Sequence, residues 1–193
     1  MRVLVIGSEG LLGREIVTAG LRRGHEMAGY GGDVTDRLAV GDAVAGVDAV
    51  VYTAQPRGGR RRDGVVAAGA LAAVRAMEDR GVRRLVCVSA AGISARPDPV
   101  AGWWSERVVK RLFRSGAAAE LRQMEVTVRQ SGLGWTIVRP ARLVTETSQH
   151  SVRAAPGYAV PRGSRIGLAD AASFVIDELH DDRDIGHAVA IAW

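Results

Sequence analysis

Short, continuously apolar runs alternate along this chain with longer stretches in which apolar residues return every three or four positions. RVLVIG (2–7), DAVVYTA (48–54), RRLVCVSA (83–90), GWTIVRP (134–140) and HAVAIAW (187–193) are of the first kind. They are rich in β-branched residues and read as strands buried on both faces. HEMAGY (25–30) reads as a further strand, weakened by Gly29. Residues 10–23 carry Leu11, Leu12, Ile16, Val17 and Leu21 at helical spacing, and Gly24 stops that helix. A short helix is expected from about 35 to 45, and another over 64–80 with Asp63 as its N-cap. PDP (97–99) breaks the chain before two helical segments, 101–115 and 117–131, split at Ser115-Gly116. Beyond Pro140 an irregular stretch runs to about 163, followed by SRIG and a helix over 168–180 capped near Asp170.

Strand–helix alternation of this kind implies parallel strands with helices on both faces. No repeat, linker or low-complexity tract interrupts it, so residues 1–193 are expected to form a single α/β domain, a doubly wound parallel sheet.

Between the first strand and its helix lies GSEGLLG, which sets Gly7, Gly10 and Gly13 three residues apart. Each has a mechanical reason to lack a side chain. The first allows a sharp turn, the second lets backbone approach a pyrophosphate, and the third lets helix pack closely on sheet. Free amides in the helix's first turn, at the positive end of its dipole, favour a diphosphate.

GSEGLLG, GDVTD (32–36), VVYTAQ (50–55), LVCVSAAG (85–92), SGLGWTIVRPARL (131–143) and RIGLADAASFVIDEL (165–179) together span nearly the whole chain. As a set they resemble the atypical short-chain dehydrogenase/reductase group of NAD(P)H-binding proteins, which includes biliverdin reductase B-type flavin reductases and NmrA-like proteins. The resemblance implies a Rossmann-like fold and roles for particular positions. Gly7, Ser8, Glu9, Gly10, Leu11 and Leu12 would cradle the diphosphate, and Asp33 with Val34 would meet the adenine. Ala54 and Gln55 would lie over the adenine-side ribose, Ser89 beside the nicotinamide, and Pro140-Ala141 along its carboxamide edge. All stand at carboxyl ends of strands, where an open α/β sheet holds its ligand.

The chain departs from that pattern at one place. Relatives carry a loop, a helix and a further strand between their second strand and the GDVTD turn. The loop supplies an acidic residue for the ribose hydroxyls or an arginine for a 2′-phosphate. Here Ala28-Gly29-Tyr30-Gly31-Gly32 stands there, with neither. The third, edge strand is therefore expected to be shortened or missing. Three outcomes stay open for the ribose. Arg14 or the Arg57–Arg62 loop anchors a 2′-phosphate, the coenzyme binds weakly but reacts, or the crevice has lost its dinucleotide. The expected coenzyme is NADPH, with NADH or none as alternatives.

Composition narrows the chemistry. With 47% apolar and 24% charged residues the chain reads as an ordinary globular protein, and no apolar run is long enough to span a membrane. A lone Cys87 excludes an internal disulfide and fits a reducing cytoplasm. The net charge is +5, but the arginines are mostly dispersed, apart from Arg57, Arg60, Arg61 and Arg62; nucleic acid is not an expected partner. Lys110 is the only lysine and Glu106 precedes it by four, so a Tyr-x-x-x-Lys pair is absent. Scattered histidines argue against a metal.

Ser89 and Tyr158 are the candidate proton donors, the first at a strand end, the second in the irregular segment. Trp103, Trp104 and Tyr158 are candidates to line a substrate pocket. Glu106, Glu120 and Glu125 are expected on solvated helix faces. These features suit an NAD(P)H-dependent reductase of a small, aromatic or polyketide-like molecule. The competing readings are a non-redox isomerase, dehydratase or cyclase on the same scaffold, and an NmrA-like dinucleotide sensor. An unpaired second strand at the sheet edge would be a hazard, which gives a reason to expect a covered edge or a homodimer.

Overall fold

The computed structural model describes residues 1–54, 64–93, 116–146, 151–157 and 159–193. Seven strands form one sheet in the order β2-β1-β3-β4-β5-β9-β7. β1 (Arg2–Ile6), β2 (Glu26–Tyr30), β3 (Ala49–Tyr52), β4 (Arg84–Val88), β5 (Gly134–Pro140) and β9 (His187–Ala192) run parallel. β7 (Arg153–Pro156) closes the far edge antiparallel to β9. Short β6 (Arg142–Val144) and β8 (Arg165–Gly167) pair with each other. The stretch expected to be irregular up to residue 163 thus holds two short strands, whose few exposed residues give no apolar signal.

Alternation along the strands explains the two layers, because successive side chains point to opposite faces. Val3, Val5, Val86, Val88 and Val138 face α1 (Leu11–Arg22) and α5 (Leu168–Asp177), where Ile16, Ala172 and Val175 meet them. Leu4, Ile6, Leu85, Cys87 and Ile137 face the other way, against α2 (Arg37–Val44), α3 (Val65–Arg80) and α4 (Ala117–Gln130). This is the doubly wound Rossmann-like sheet that the alternation implied. β2 stands at the edge, and among the described residues no strand pairs with its outer side.

Two capping expectations need correction. The N-cap of α3 is Gly64, which takes a left-handed conformation (φ 90°) and has no side chain to offer. The first turn is satisfied instead from the neighbouring helix, where the Glu120 carboxylate accepts from the Val66 amide at 3.1 Å. Asp63 lies outside the described residues. For α5 the N-cap is Gly167, and Asp170, three residues in, accepts from the Trp193 indole at 2.9 Å.

At the amino ends of the strands, Arg84 opens β4 and donates to the carbonyls of Gly134 and Glu178 and to the Thr136 hydroxyl. Glu178 is buried there, and its Oε2 has no hydrogen-bond partner among the described residues. Burial, reinforced by Asp184 and Asp181, pushes its carboxyl up to about 7, against the pull of Arg84. A carboxyl raised in the fold holds its proton where the unfolded chain has lost it, so stability falls as pH rises from about 4.5 to 7. Glu178→Gln should therefore match the parent near pH 5 and exceed it by about 1–2 kcal/mol near pH 8, once solvent screening is allowed for. Urea melts at both pH values check this, and a constant difference would refute it.

Candidate functional site

The carboxyl ends of β1, β3, β4 and β5 lie side by side, and the candidate site is built along them. Gly7 follows β1 with φ +92°, which only glycine adopts readily. A Cβ there would lie 2.8 Å from the Ala54 amide nitrogen, so the bare turn is what lets the ends of β1 and β3 close up. Gly13, in the first turn of α1, would drive a Cβ into the Gly7 carbonyl. These two glycines are explained by packing.

Gly10 is not. Its φ and ψ (−70°, 161°) suit any residue, and an added Cβ would meet only the Gly7 oxygen, at 3.4 Å. The space over Gly10 is open where backbone would approach a diphosphate. Gly10 is also the N-cap of α1 and supplies no side-chain cap, so the first-turn amides are left to whatever binds there. Leu11, beside it, is 72% exposed, whereas Leu12 is buried.

The rest of the site falls into two parts. Toward the adenine side, Asp33 shapes the turn after β2. Its Oδ1 accepts from the Thr35 amide (2.9 Å) and hydroxyl (2.6 Å), while its carbonyl accepts from the Tyr30 phenol at 2.9 Å. Val34 packs over Gly69 of α3, where a Cβ would fall 2.5 Å from its Cγ2. Ala54 is buried behind Gly7. Toward the other side, Ser89 follows β4 and is 3% exposed. Its amide donates to the Val138 carbonyl, and the Ala91 amide to that of Pro140, which ties the ends of β4 and β5 together. Pro140 is buried at the end of β5, and the Ala141 amide donates to Ile191.

The Ser89 hydroxyl has no partner among the described residues. The bland account of a strand-end serine, a bond to its own backbone, is therefore not what this side chain does. An unsatisfied buried hydroxyl costs about 1–3 kcal/mol, and at a ligand-binding edge a ligand is the natural partner. Gln55, Trp103, Trp104, Tyr158, Glu106, Lys110 and the Arg57–Arg62 cluster lie outside the described residues.

Cys87, on β4, is fully buried with its sulfur 3.6 Å from that of Met124, and burial pushes its thiol well above the usual range. It is a packing residue. No cluster of metal-ligating side chains occurs among the described residues.

An open glycine turn and a buried hydroxyl with no partner among the described residues, both at strand ends, are parts that a dinucleotide site needs. Residues 18–182 match the model of an NAD(P)H-binding family. The chain belongs to that family. The match starts within α1, so in this member of the NAD(P)H-binding family the glycine turn is placed by the fold rather than by the matched span. No curated protein matches the chain.

Solved structures similar to it share the whole fold. A short-chain dehydrogenase/reductase (wide type) of Veillonella parvula, solved in complex with NADP, superposes with a TM-score of 0.79 at 15% identity, covering 100% of this chain and 94% of its own. A Bacillus halodurans chain, provisionally named an NAD-dependent epimerase/dehydratase, gives 0.78 at 24%, covering 100% and 94%. A Burkholderia pseudomallei chain, provisionally named as exported, gives 0.79 at 23%, with both chains covered fully. Among the described residues no helix is long and apolar enough to cross a membrane.

Two glutamates expected on solvated faces are engaged instead. Glu120 caps α3, as described above. Glu125, on α4, is 4% exposed and forms a bidentate pair with Arg139 of β5, at 2.9 and 2.5 Å. Arg139 also donates to the Gly157 carbonyl at 2.6 Å, holding the residue just before Tyr158. The sequence signal for the pair is an arginine inside an otherwise apolar strand, at the alternate position to Trp135 and Ile137, which face α4.

Proposed function

We propose that this protein is an NAD(P)H-dependent reductase of a small molecule. The observation that carries the reading is the Ser89 hydroxyl, buried just after β4 with no partner among the described residues, on the same sheet edge as the open glycine turn. When bound, reduced nicotinamide supplies the hydride. The chain's own part is to seat the diphosphate on the turn of residues 7–12, to close the sheet edge against water, and to offer the Ser89 hydroxyl as a donor. That hydroxyl orients either the nicotinamide carboxamide or a substrate carbonyl. Tyr158 remains a proposed second donor, and Trp103 with Trp104 the proposed walls for a flat, apolar substrate. A buried free cysteine accords with a reducing compartment, and we place the protein in the cytoplasm on that ground. The open edge at β2 supports a homodimer.

Calorimetric titration at moderate salt should give submillimolar binding of NADH or NADPH. Ser89→Ala should leave the fold as stable as the parent or about 1 kcal/mol more so, because an unsatisfied hydroxyl is removed. It should also slow coenzyme oxidation by quinone, flavin and aldehyde acceptors at least tenfold. Full turnover in Ser89→Ala would remove the serine from the mechanism. The second reading, a non-redox enzyme, is favoured by the short span between β2 and α2, residues 31–36, which omits the usual ribose-binding loop. Silence from both coenzymes would select it.

A further inference from the structure

We propose that Glu9 is the ribose anchor of this site, and that it makes the protein select the unphosphorylated ribose of NAD(H). The proposal rests on the coenzyme reading above and names the group that the shortened segment omits.

Three positions, two on one face of β2 and one just beyond its end, carry the argument. Positions 27, 29 and 31 alternate onto the same side of the strand. Met27 packs on α1 so closely that Gly20 has no room for a Cβ. Two residues on, a Cβ at Gly29 would lie 2.7 Å from the Ser8 Oγ. Two further on, a Cβ at Gly31 would lie 2.5 Å from both the Glu9 Cδ and its Oε1. Neither Gly29 nor Gly31 has a positive φ, so their backbones do not call for glycine. What their missing side chains provide is room for Ser8 and Glu9, which reach across from the glycine turn. The Glu9 carboxylate therefore sits where a side chain at position 31 would begin, at the carboxyl end of β2.

That place is where a ribose carboxylate is needed, and Glu9 is the carboxylate that the fold brings there. Glu9 is exposed and adjoins Gly10, over which the diphosphate would lie. A carboxylate there accepts from both hydroxyls of a ribose diol. It repels a 2′-phosphate, whose charge has the same sign. The sequence alone leaned toward a 2′-phosphate; the placement of Glu9 points to the diol.

The test is calorimetric binding of NADH and NADPH to the parent, to Glu9→Gln and to the pair Glu9→Ser/Gly31→Asp. The parent should bind NADH at least tenfold more tightly than NADPH. Glu9→Gln should lose about ten- to a hundredfold in NADH affinity, as expected for a hydrogen bond to a charged group, and should bind NADPH no worse. The double variant moves the carboxylate to position 31 and should restore the preference for NADH. Equal or tighter binding of NADPH by the parent overturns the proposal. So does an unchanged NADH/NADPH ratio in Glu9→Gln, while coenzyme binding itself stands. If Glu9→Gln binds both coenzymes more tightly, the carboxylate is a plug and the proposal fails. Absence of binding to either coenzyme by all three proteins overturns the coenzyme reading and this proposal together.

Discussion

Gly10→Asp should lower the affinity for NADH and NADPH at least a hundredfold, about 2.7 kcal/mol, while leaving the thermal midpoint within a few degrees of the parent. The two halves of that result come from different observations. The fold tolerates the change because residue 10 has an ordinary extended backbone and its added Cβ would make only a van der Waals contact at 3.4 Å. The ligand does not, because the side chain stands over the uncapped first turn of α1 and brings a negative charge to a doubly charged bridge. Gly7 and Gly13 cannot serve in this experiment. A Cβ at either position collides with backbone of the turn or of Thr53 and Ala54 just after β3, so a loss of binding there would report damaged folding. Calorimetry with circular-dichroism melts on the same samples separates the outcomes. Parent-like binding in Gly10→Asp would reduce the glycine turn to a structural turn and remove the diphosphate from the site.

The contrast between Gly10 and its two neighbours marks what was legible in the sequence. The strand positions were, because runs buried on both faces are continuously apolar, and two of them end at Gly7 and Pro140. GWTIVRP was expected as a strand and β5 spans Gly134–Pro140. The short edge was legible too, from the single residue between HEMAGY and GDVTD, and among the described residues β2 indeed stands at the sheet edge. Caps were misread because the sequence shows only local partners. Glu120 satisfies an amide 54 positions away in sequence, across a helix–helix contact that periodicity cannot reveal. β6, β7 and β8 were missed because strands of three and four residues have no room for an alternating pattern.

Of the site, the turn and the strand ends were legible from the glycine spacing and strand boundaries. The reach of Glu9 across to Gly31 was hidden, although Gly29 and Gly31, two apart on one strand face, were its trace. Sequence reading took those glycines as an absence, of an acidic residue and of a strand. In the folded chain they are a space with a carboxylate in it.

Removing the Arg139 charge should have the largest effect on stability. Arg139→Met should cost about 3–5 kcal/mol, a large share of the roughly 5–15 kcal/mol that holds a domain folded. Arg139 is 1% exposed, and its guanidinium meets both carboxylate oxygens of Glu125, itself 4% exposed. Without it Glu125 is left buried on α4, and among the described residues the Arg129 guanidinium is the one cation near it, at 3.7 Å. That arginine is already turned over the Trp135 ring, 5.2 Å from its centroid. An ionised carboxylate in that position is the costly object, rather than the lost bond. It follows that Glu125→Leu combined with Arg139→Met should recover most of the loss. Two apolar side chains of similar volume would then face each other among Ile137, Leu121 and Met124, which already form that layer. The coupling between the two changes should exceed about 2 kcal/mol, read from urea melts of the four proteins in the cycle. Additive effects would mean that the pair is not the unit that matters. The recovery has one limit that ties the pair to function. Arg139 also fixes the Gly157 carbonyl at 2.6 Å, and the double variant restores packing without restoring that donor. Its fold should be stable while the segment leading to Tyr158 loses its anchor to β5. Substrate turnover is then expected to stay below that of the parent even where the melts coincide.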